Sequence, residues 1–147
     1  MKRLILIAAV MMAAAACSGK GPDGFRSGDL VLLSESAVAT VYNAVPAQCG
    51  DDCLHTASMF EIDPSKVSGY RILAMERTMM ARCGVAYGDQ VYVEGAGRYD
   101  GLWTVEDTMN RRFAGQDRID FLVPEETRTG RWKDVRVYKV DRSRRRR

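Results

Sequence analysis

Short segments rich in β-branched and aromatic residues, closely spaced and separated by turn residues, constrain this chain more than any other feature. Gln90-Val-Tyr-Val-Glu94 and Leu102-Trp-Thr-Val105 are the clearest. Between them lies a glycine-rich link containing Gly95, Gly97 and Asp100-Gly101. Runs of this length and composition form strands rather than helices. Val38 to Asn43 reads as the strand that opens the folded body, and Tyr70 to Ala74 as another. Ile119 to Val123 and Asp134 to Val140 complete a count of about six. Residues 44–58, with Pro46 and Gly50, read as a loop, and Met59 to Ile62 as a short extended piece stopped by Asp63-Pro64. Glu76 to Arg82 is the single helix-forming run, closed by Gly84. Strands this short and this frequent predict a mainly β fold, a small barrel or sandwich.

Two carboxylates stand out against this pattern. Asp107 and Asp120 each lie at or just after a strand-like segment, in Trp103-Thr-Val-Glu-Asp-Thr108 and Ile119-Asp-Phe121. A strand end holds an acid rigidly, and a dry wall or a second carboxylate beside it raises its pKa toward the range a general acid needs. Asp-Thr and Asp-Arg are also ordinary turn chemistry, so spacing alone does not separate the two readings.

The stretch from about Ile72 to Val123 resembles the 3D (three-aspartate) domain, a six-stranded double-psi β-barrel found in bacterial cell-wall enzymes. Ala74-Met75-Glu76 stands where that family has Ala-Val-Asp, Gly88 to Gly95 matches its central strand, and Asp107-Thr108 and Ile119-Asp120-Phe121 match its second and third aspartates. The chain departs from the family at Glu76, which is longer by one methylene, and at Met109-Asn110, where small residues are usual. The resemblance covers about a third of the chain and implies a double-psi barrel over residues 36–140 with one short helix.

The function it implies is cleavage of peptidoglycan glycan strands in the manner of membrane-bound lytic transglycosylase A. Asp120 would be the general acid and base, Asp107 would tune its pKa or stabilise oxocarbenium-like charge, and Glu76 would complete the acidic cluster. Tyr99, Asp100, Thr108 and Asn110 are the candidate substrate-binding residues. A non-catalytic peptidoglycan-binding or scaffold protein with the same barrel is the alternative, favoured by the small size and by Met109-Asn110. Binding of a hard cation by Glu76, Asp107 and Asp120 is a third reading; no metal or other cofactor is required by the first two. Tyr87, Tyr92, Tyr99, Trp103 and Phe121 are divided between core packing and a sugar-stacking groove, with Trp103 assigned to the core and Tyr99 to the surface. Related barrels of the rare-lipoprotein-A-like group carry a histidine where this chain has Met75-Glu76, so His55, the sole histidine, is expected to be an exposed loop residue that could reach the cleft.

The first residues address the chain to the cell envelope. Met1-Lys2-Arg3 is a basic start, and the apolar run from Leu4 to Ala16 is 13 residues long. That is shorter than the roughly 20 residues that span a bilayer. Ala14-Ala15-Ala16-Cys17 has the form of a lipoprotein cleavage site, which implies a signal peptide over 1–16 and lipidation at Cys17. Ser18 differs from the aspartate that retains such proteins in the inner membrane, so the expectation is a lipid anchor in the outer membrane, facing the periplasm. Cleavage leaves 131 residues, enough for one domain, with 17–35 as lipid anchor and tether and 141–147 as a basic tail.

The formal charge of +3 arises at the ends. Between Ser18 and Val140 there are 15 basic and 18 acidic residues, so the body is mildly acidic and a poor match for nucleic acid. The Arg tail reads as a solvated run able to touch anionic head groups. A monomer is expected. In an oxidising compartment Cys49, Cys53 and Cys83 predict one disulfide and one free thiol, either Cys49 with Cys53 or one of them with Cys83. A Cys3His zinc site with His55 is the remaining arrangement of these residues.

Overall fold

The computed structural model describes residues 24–25, 28–127, 129–141 and 143. The segment expected to be a signal peptide, Cys17 and most of the basic tail therefore lie outside the described residues. Six strands close into a barrel: β1 (Leu30–Tyr42), β2 (Ile72–Met75), β3 (Gln90–Glu94), β4 (Gly101–Thr108), β5 (Arg118–Leu122) and β6 (Arg131–Val140). Around the barrel they run β1-β5-β2-β4-β3-β6 and return to β1. The β1–β5 and β2–β4 pairs are parallel; the other four are antiparallel. Exchanging β1, β2 and β3 with β4, β5 and β6 maps each pairing onto one of the same sense, so the connectivity carries an internal two-fold relation. The barrel reading and the strand count agree with the sequence. Strand β1, however, begins at Leu30, within the segment expected to be tether.

Alternation sorts most buried side chains into two main cores, beside a smaller cluster of Phe25, Tyr92 and Val140. Ala39, Leu73, Met75, Val91, Val93, Val105, Ile119 and Phe121 point inward and fill the barrel with Trp103, Val135 and Val137. Tyr42, Ile72, Ala74 and Leu122 lie on the opposite face of their strands and pack with Ile62, Val67 and Met109. This second core exists because the long β1–β2 connection folds back over the outside of the barrel. That connection contains the short helix α1 (Pro46–Cys49) and a 3-10 turn over Pro64–Gly69. Asn43 pins its start, donating from Nδ2 to the carbonyls of Pro124 at 2.8 Å and Thr127 at 3.1 Å. Asp63 caps the 3-10 turn by accepting from the Ser65 amide at 3.0 Å.

The expected helix is α2 (Arg77–Cys83). Glu76 is its N-cap: its two carboxylate oxygens accept from the amides of Thr78 at 2.9 Å and Met79 at 2.8 Å. Gly84 ends it in the left-handed conformation, φ 60°, that glycine adopts without steric cost.

Tyr99 is not the surface platform expected of it. It is 9% exposed and stacks on Phe121 with ring centroids 5.2 Å apart and an interplanar angle of 16°. The main chain of Tyr99 also takes the Trp103 indole N–H, at 2.7 Å from its carbonyl. The aromatic set singled out from the sequence is largely core: Tyr92, Tyr99, Trp103 and Phe121 are buried, and Tyr87 alone is exposed.

Candidate functional site

Asp107 and Asp120 are brought together by strand register. Ala74 on β2 pairs with Asp120 on one side and with Asp107 on the other, and Thr40 on β1 pairs with Asp120. The row across the sheet is therefore Thr40, Asp120, Ala74, Asp107. With strands about 4.8 Å apart, the two acidic residues stand roughly 10 Å apart at the backbone. Ala74 is the small residue between them, so no side chain fills the gap.

A register shift puts Asp107 in this row. Trp103 and Val105 face the barrel interior, and strict alternation would send Asp107 inward after them. Instead Leu73 pairs with Val105 while the next residue, Ala74, pairs with Asp107. Glu106 is the extra residue of a bulge, a device that re-aims side chains beside functional sites. Asp107 thus falls in register with outward-facing Ala74 rather than inside the barrel.

The row forms one wall of a cleft of about 860 Å³. The opposite wall comes from the β1–β2 connection, with Gln48, Cys49, Cys53 and His55, and one end is closed by Asn110 to Phe113. Asp107 is held by three donors: the Tyr42 hydroxyl at 3.1 Å, the Ala57 amide at 3.0 Å and the Thr108 amide at 2.8 Å. Burial and the neighbouring Asp107 push the Tyr42 phenol upward, so it stays protonated and donates.

Asp120 is in a different electrostatic situation. Burial is the main cause that pushes its pKa from the ordinary 3.8 up to about 6, and the charge of Asp107 adds to it. The hydrogen bond from Thr40 Oγ1 at 2.8 Å and the charge of Arg118 pull the other way without cancelling it. Among the described residues neither Asp107 nor Asp120 is in an ion pair. Two carboxylates share one cleft, and one of them is poised to carry a proton near neutral pH.

Glu76 does not join them. It is 3% exposed and its carboxylate is spent on capping α2. Its own burial pushes its pKa up, but the Thr78 and Met79 amides outweigh that and leave it below the ordinary value of 4.5. A group committed in this way neither donates a proton nor completes an acidic cluster. Replacing Glu76 with Ala should cost about 1–2 kcal/mol in urea unfolding at pH 7. Because the folded-state pKa is lowered, the difference is present at neutral pH and should shrink as pH falls below about 4. A loss of cleft function larger than the loss of stability would return Glu76 to the site.

Of the other candidates, Thr108 and Asn110 line the cleft, whereas Tyr99 and Asp100 do not. Asp100 instead accepts from the Ala96 amide and shapes the β3–β4 link. His55 lines the cleft from its loop with Nδ1 2.7 Å from Asp52, a contact that raises its pKa. Cys49, Cys53 and Cys83 are free thiols, so the expected disulfide is not formed. Cys83 lies beside Leu33 in a second, smaller cleft, away from the other two. Among the described residues no three His, Cys, Asp or Glu side chains converge as a metal site, and neither the zinc nor the carboxylate arrangement is assembled.

Sequence reading missed Thr40, Tyr42, Arg77, Arg111, Arg112 and Phe113. Thr40 and Tyr42 alternate with inward Ala39 and Val41, a signal legible only once the outer face is known to be covered. Compared with known proteins, the chain matches no protein-family model and no curated protein.

Proposed function

We propose that the cleft acts on peptidoglycan glycan strands, with Asp120 as the general acid and base of a lytic transglycosylase-like reaction. The observation that carries this reading is the pairing of a shielded Asp120, pKa about 6, with Asp107 across Ala74 in one cleft. A protonated Asp120 gives its proton to the glycosidic oxygen as the bond to the anomeric carbon breaks. The resulting carboxylate then takes the proton of the muramyl 6-hydroxyl while that oxygen closes onto the anomeric carbon. Asp107, oriented by Tyr42, Ala57 and Thr108, stabilises the positive charge that develops between the two steps. The nucleophile belongs to the substrate, so no water has to be placed between the carboxylates.

The fold supports the same reading at a coarser level. The closed barrel, its two parallel pairs and its internal two-fold relation are compatible with a double-psi barrel, and that barrel is what the resemblance of Asp107-Thr108 and Ile119-Asp120 implies. An envelope lipoprotein also suits the direction of the chain. Leu30 pairs with Val140 at the start of β1, while the cleft is built at Thr40 and Tyr42, about 30 Å further along at ~3.3 Å per residue. A lipid on Cys17 would tether the chain at the first of these ends. Among the described residues no helix is long and apolar enough to cross a membrane.

Incubating purified sacculi with residues 18–147 and analysing the soluble fraction by mass spectrometry tests the proposal. Anhydro-muropeptides from the wild type and none from Asp120→Asn are the expected result. Products that have gained water would make the protein a hydrolase. Co-sedimentation of both proteins with sacculi, without products, would make it a binding module.

A further inference from the structure

The cleft is acidic along the barrel wall, and Asp52 adds a carboxylate from the β1–β2 connection, where it is paired with His55. At its other end Arg77 opens α2, and Arg111 and Arg112 form the 3-10 turn that follows Asn110. All three line the cleft and are exposed, and among the described residues none of the three is in an ion pair. Guanidinium groups readily form bridges with carboxylates that share a cleft with them. Asp107 is engaged by Tyr42, Ala57 and Thr108 and Asp120 by Thr40, and among the described residues neither is bridged to these arginines, which remain available to a ligand.

Two further observations mark this end as built for a ligand. Phe113 holds two guanidinium groups against its ring, Arg112 at 4.7 Å and Arg118 at 4.0 Å from the centroid. Such contacts restrain the fork of Arg112 at the cleft. In addition, among the described residues the buried side-chain polar atoms without a hydrogen-bond partner are Thr108 Oγ1, in the cleft lining, and Arg118 Nε, whose guanidinium stacks on Phe113. Arg118 is 9% exposed, and its burial beside Arg131 and Arg112 disfavours its charge. Uncompensated buried polar atoms are rare in folded proteins, and each calls for an explanation. An anion seated in the cleft beside Arg111 and Arg112 would supply Thr108 Oγ1 with an acceptor and offset the repulsion between Arg112 and Arg118.

We propose that Arg77, Arg111 and Arg112 form a subsite for a carboxylate carried by the glycan substrate, holding the strand so that its scissile bond lies over Asp120. This rests on the glycan reading of the cleft and adds what it recognises. Guanidinium forks match carboxylates in bidentate geometry, which gives orientation as well as attraction. In peptidoglycan the carboxylate has two sources, the lactyl group of a peptide-free muramyl residue or the stem peptide attached to it.

Three soluble tetrasaccharides separate these cases by titration calorimetry with Asp120→Asn, which prevents turnover: a neutral chitin fragment, a peptide-free muramyl glycan, and the same glycan bearing stem peptides. One or both acidic glycans should bind roughly tenfold more tightly than the neutral one, the pair that does so naming the source. The preference should vanish in a second protein that also carries Arg111→Gln and Arg112→Gln, and should weaken as salt rises. Equal binding of neutral and acidic glycans, or an equal loss for all three in the arginine variant, overturns the subsite. Failure of every glycan to bind overturns it as well. Release of anhydro-muropeptides from sacculi is scored separately, so the glycan-cleaving function stands if products appear when the subsite fails. If neither binding nor products are seen, both fall.

Discussion

Asp120→Asn should abolish glycan cleavage and at the same time make the protein more stable at neutral pH. General acid catalysis contributes on the order of 10²–10⁴-fold, and asparagine keeps the shape while losing the proton, so at least a hundredfold loss of product is expected. The stability change follows from linkage. Burial raises the folded-state pKa of Asp120 from 3.8 to about 6, so between these values the folded protein holds a proton that the unfolded chain has released. Stability therefore declines as pH rises from about 4 to about 6, and the penalty is fully present above that range. The gap between 3.8 and about 6 corresponds to an upper figure on the order of 3 kcal/mol. Asn removes the penalty while its carbonyl still accepts from Thr40. Urea unfolding at pH 4 and pH 7.5 should show the variant ahead only at the higher pH. The wild-type rate should fall as pH rises through about 6, because the proton donor is lost. An Asp120→Asn protein that is less stable at pH 7.5, or that retains activity, would remove Asp120 from the acid's role.

Phe121→Ala should cost about 3–5 kcal/mol, the largest single loss expected in the barrel. Phe121 is 0% exposed and its ring lies 4.5 Å from Trp103 and 5.2 Å from Tyr99, centroid to centroid. Truncation leaves a cavity walled by large rings that cannot collapse into it. A domain of this size has roughly 5–15 kcal/mol in total, so the loss should bring unfolding close to ambient conditions. The effect should also reach the cleft, since Phe121 and Asp120 are successive residues of β5 on opposite faces. Denaturant midpoints measured against Ile119→Val, for which about 1 kcal/mol is expected, provide the comparison. A loss near that smaller value would mean that the aromatic cluster does not organise β5.

Much of the barrel was legible because its signals are local. Gln90 to Glu94 is a strand by composition and by its flanking glycines, and Glu76 followed by helix formers and Gly84 reads as a short capped helix. The local signal at Glu76 also shows why it caps α2 instead of lining the cleft. An acid at a helix start is claimed by the nearest free amides, two and three residues away, before any distant cleft can use it. Tyr99 failed for the converse reason: neighbouring Asp100-Gly101 and Arg98 suggest a surface, but the ring turns under them onto Phe121, which is 22 positions away in sequence.

Asp107 and Asp120 could be picked out from the sequence, but their relation could not. Alternation determines which residues share a face of a strand, and by that rule Asp107 belongs inside the barrel. One extra residue, Glu106, reverses that placement, and only the pairing of Leu73 with Val105 and of Ala74 with Asp107 exposes it. The cleft has the same origin. Its arginines, Thr40 and Tyr42 come from three separate segments, and the cleft's other wall exists because the β1–β2 connection buries Ile62 and Val67 against the outside of the barrel. The sequence by itself determined the strands, the helix cap and the carboxylates, because propensity, hydrogen bonding to near neighbours and residue chemistry act over a few positions. Tertiary structure alone decided which carboxylate is shielded and which charges remain unpaired, because burial and register depend on residues far apart in the chain.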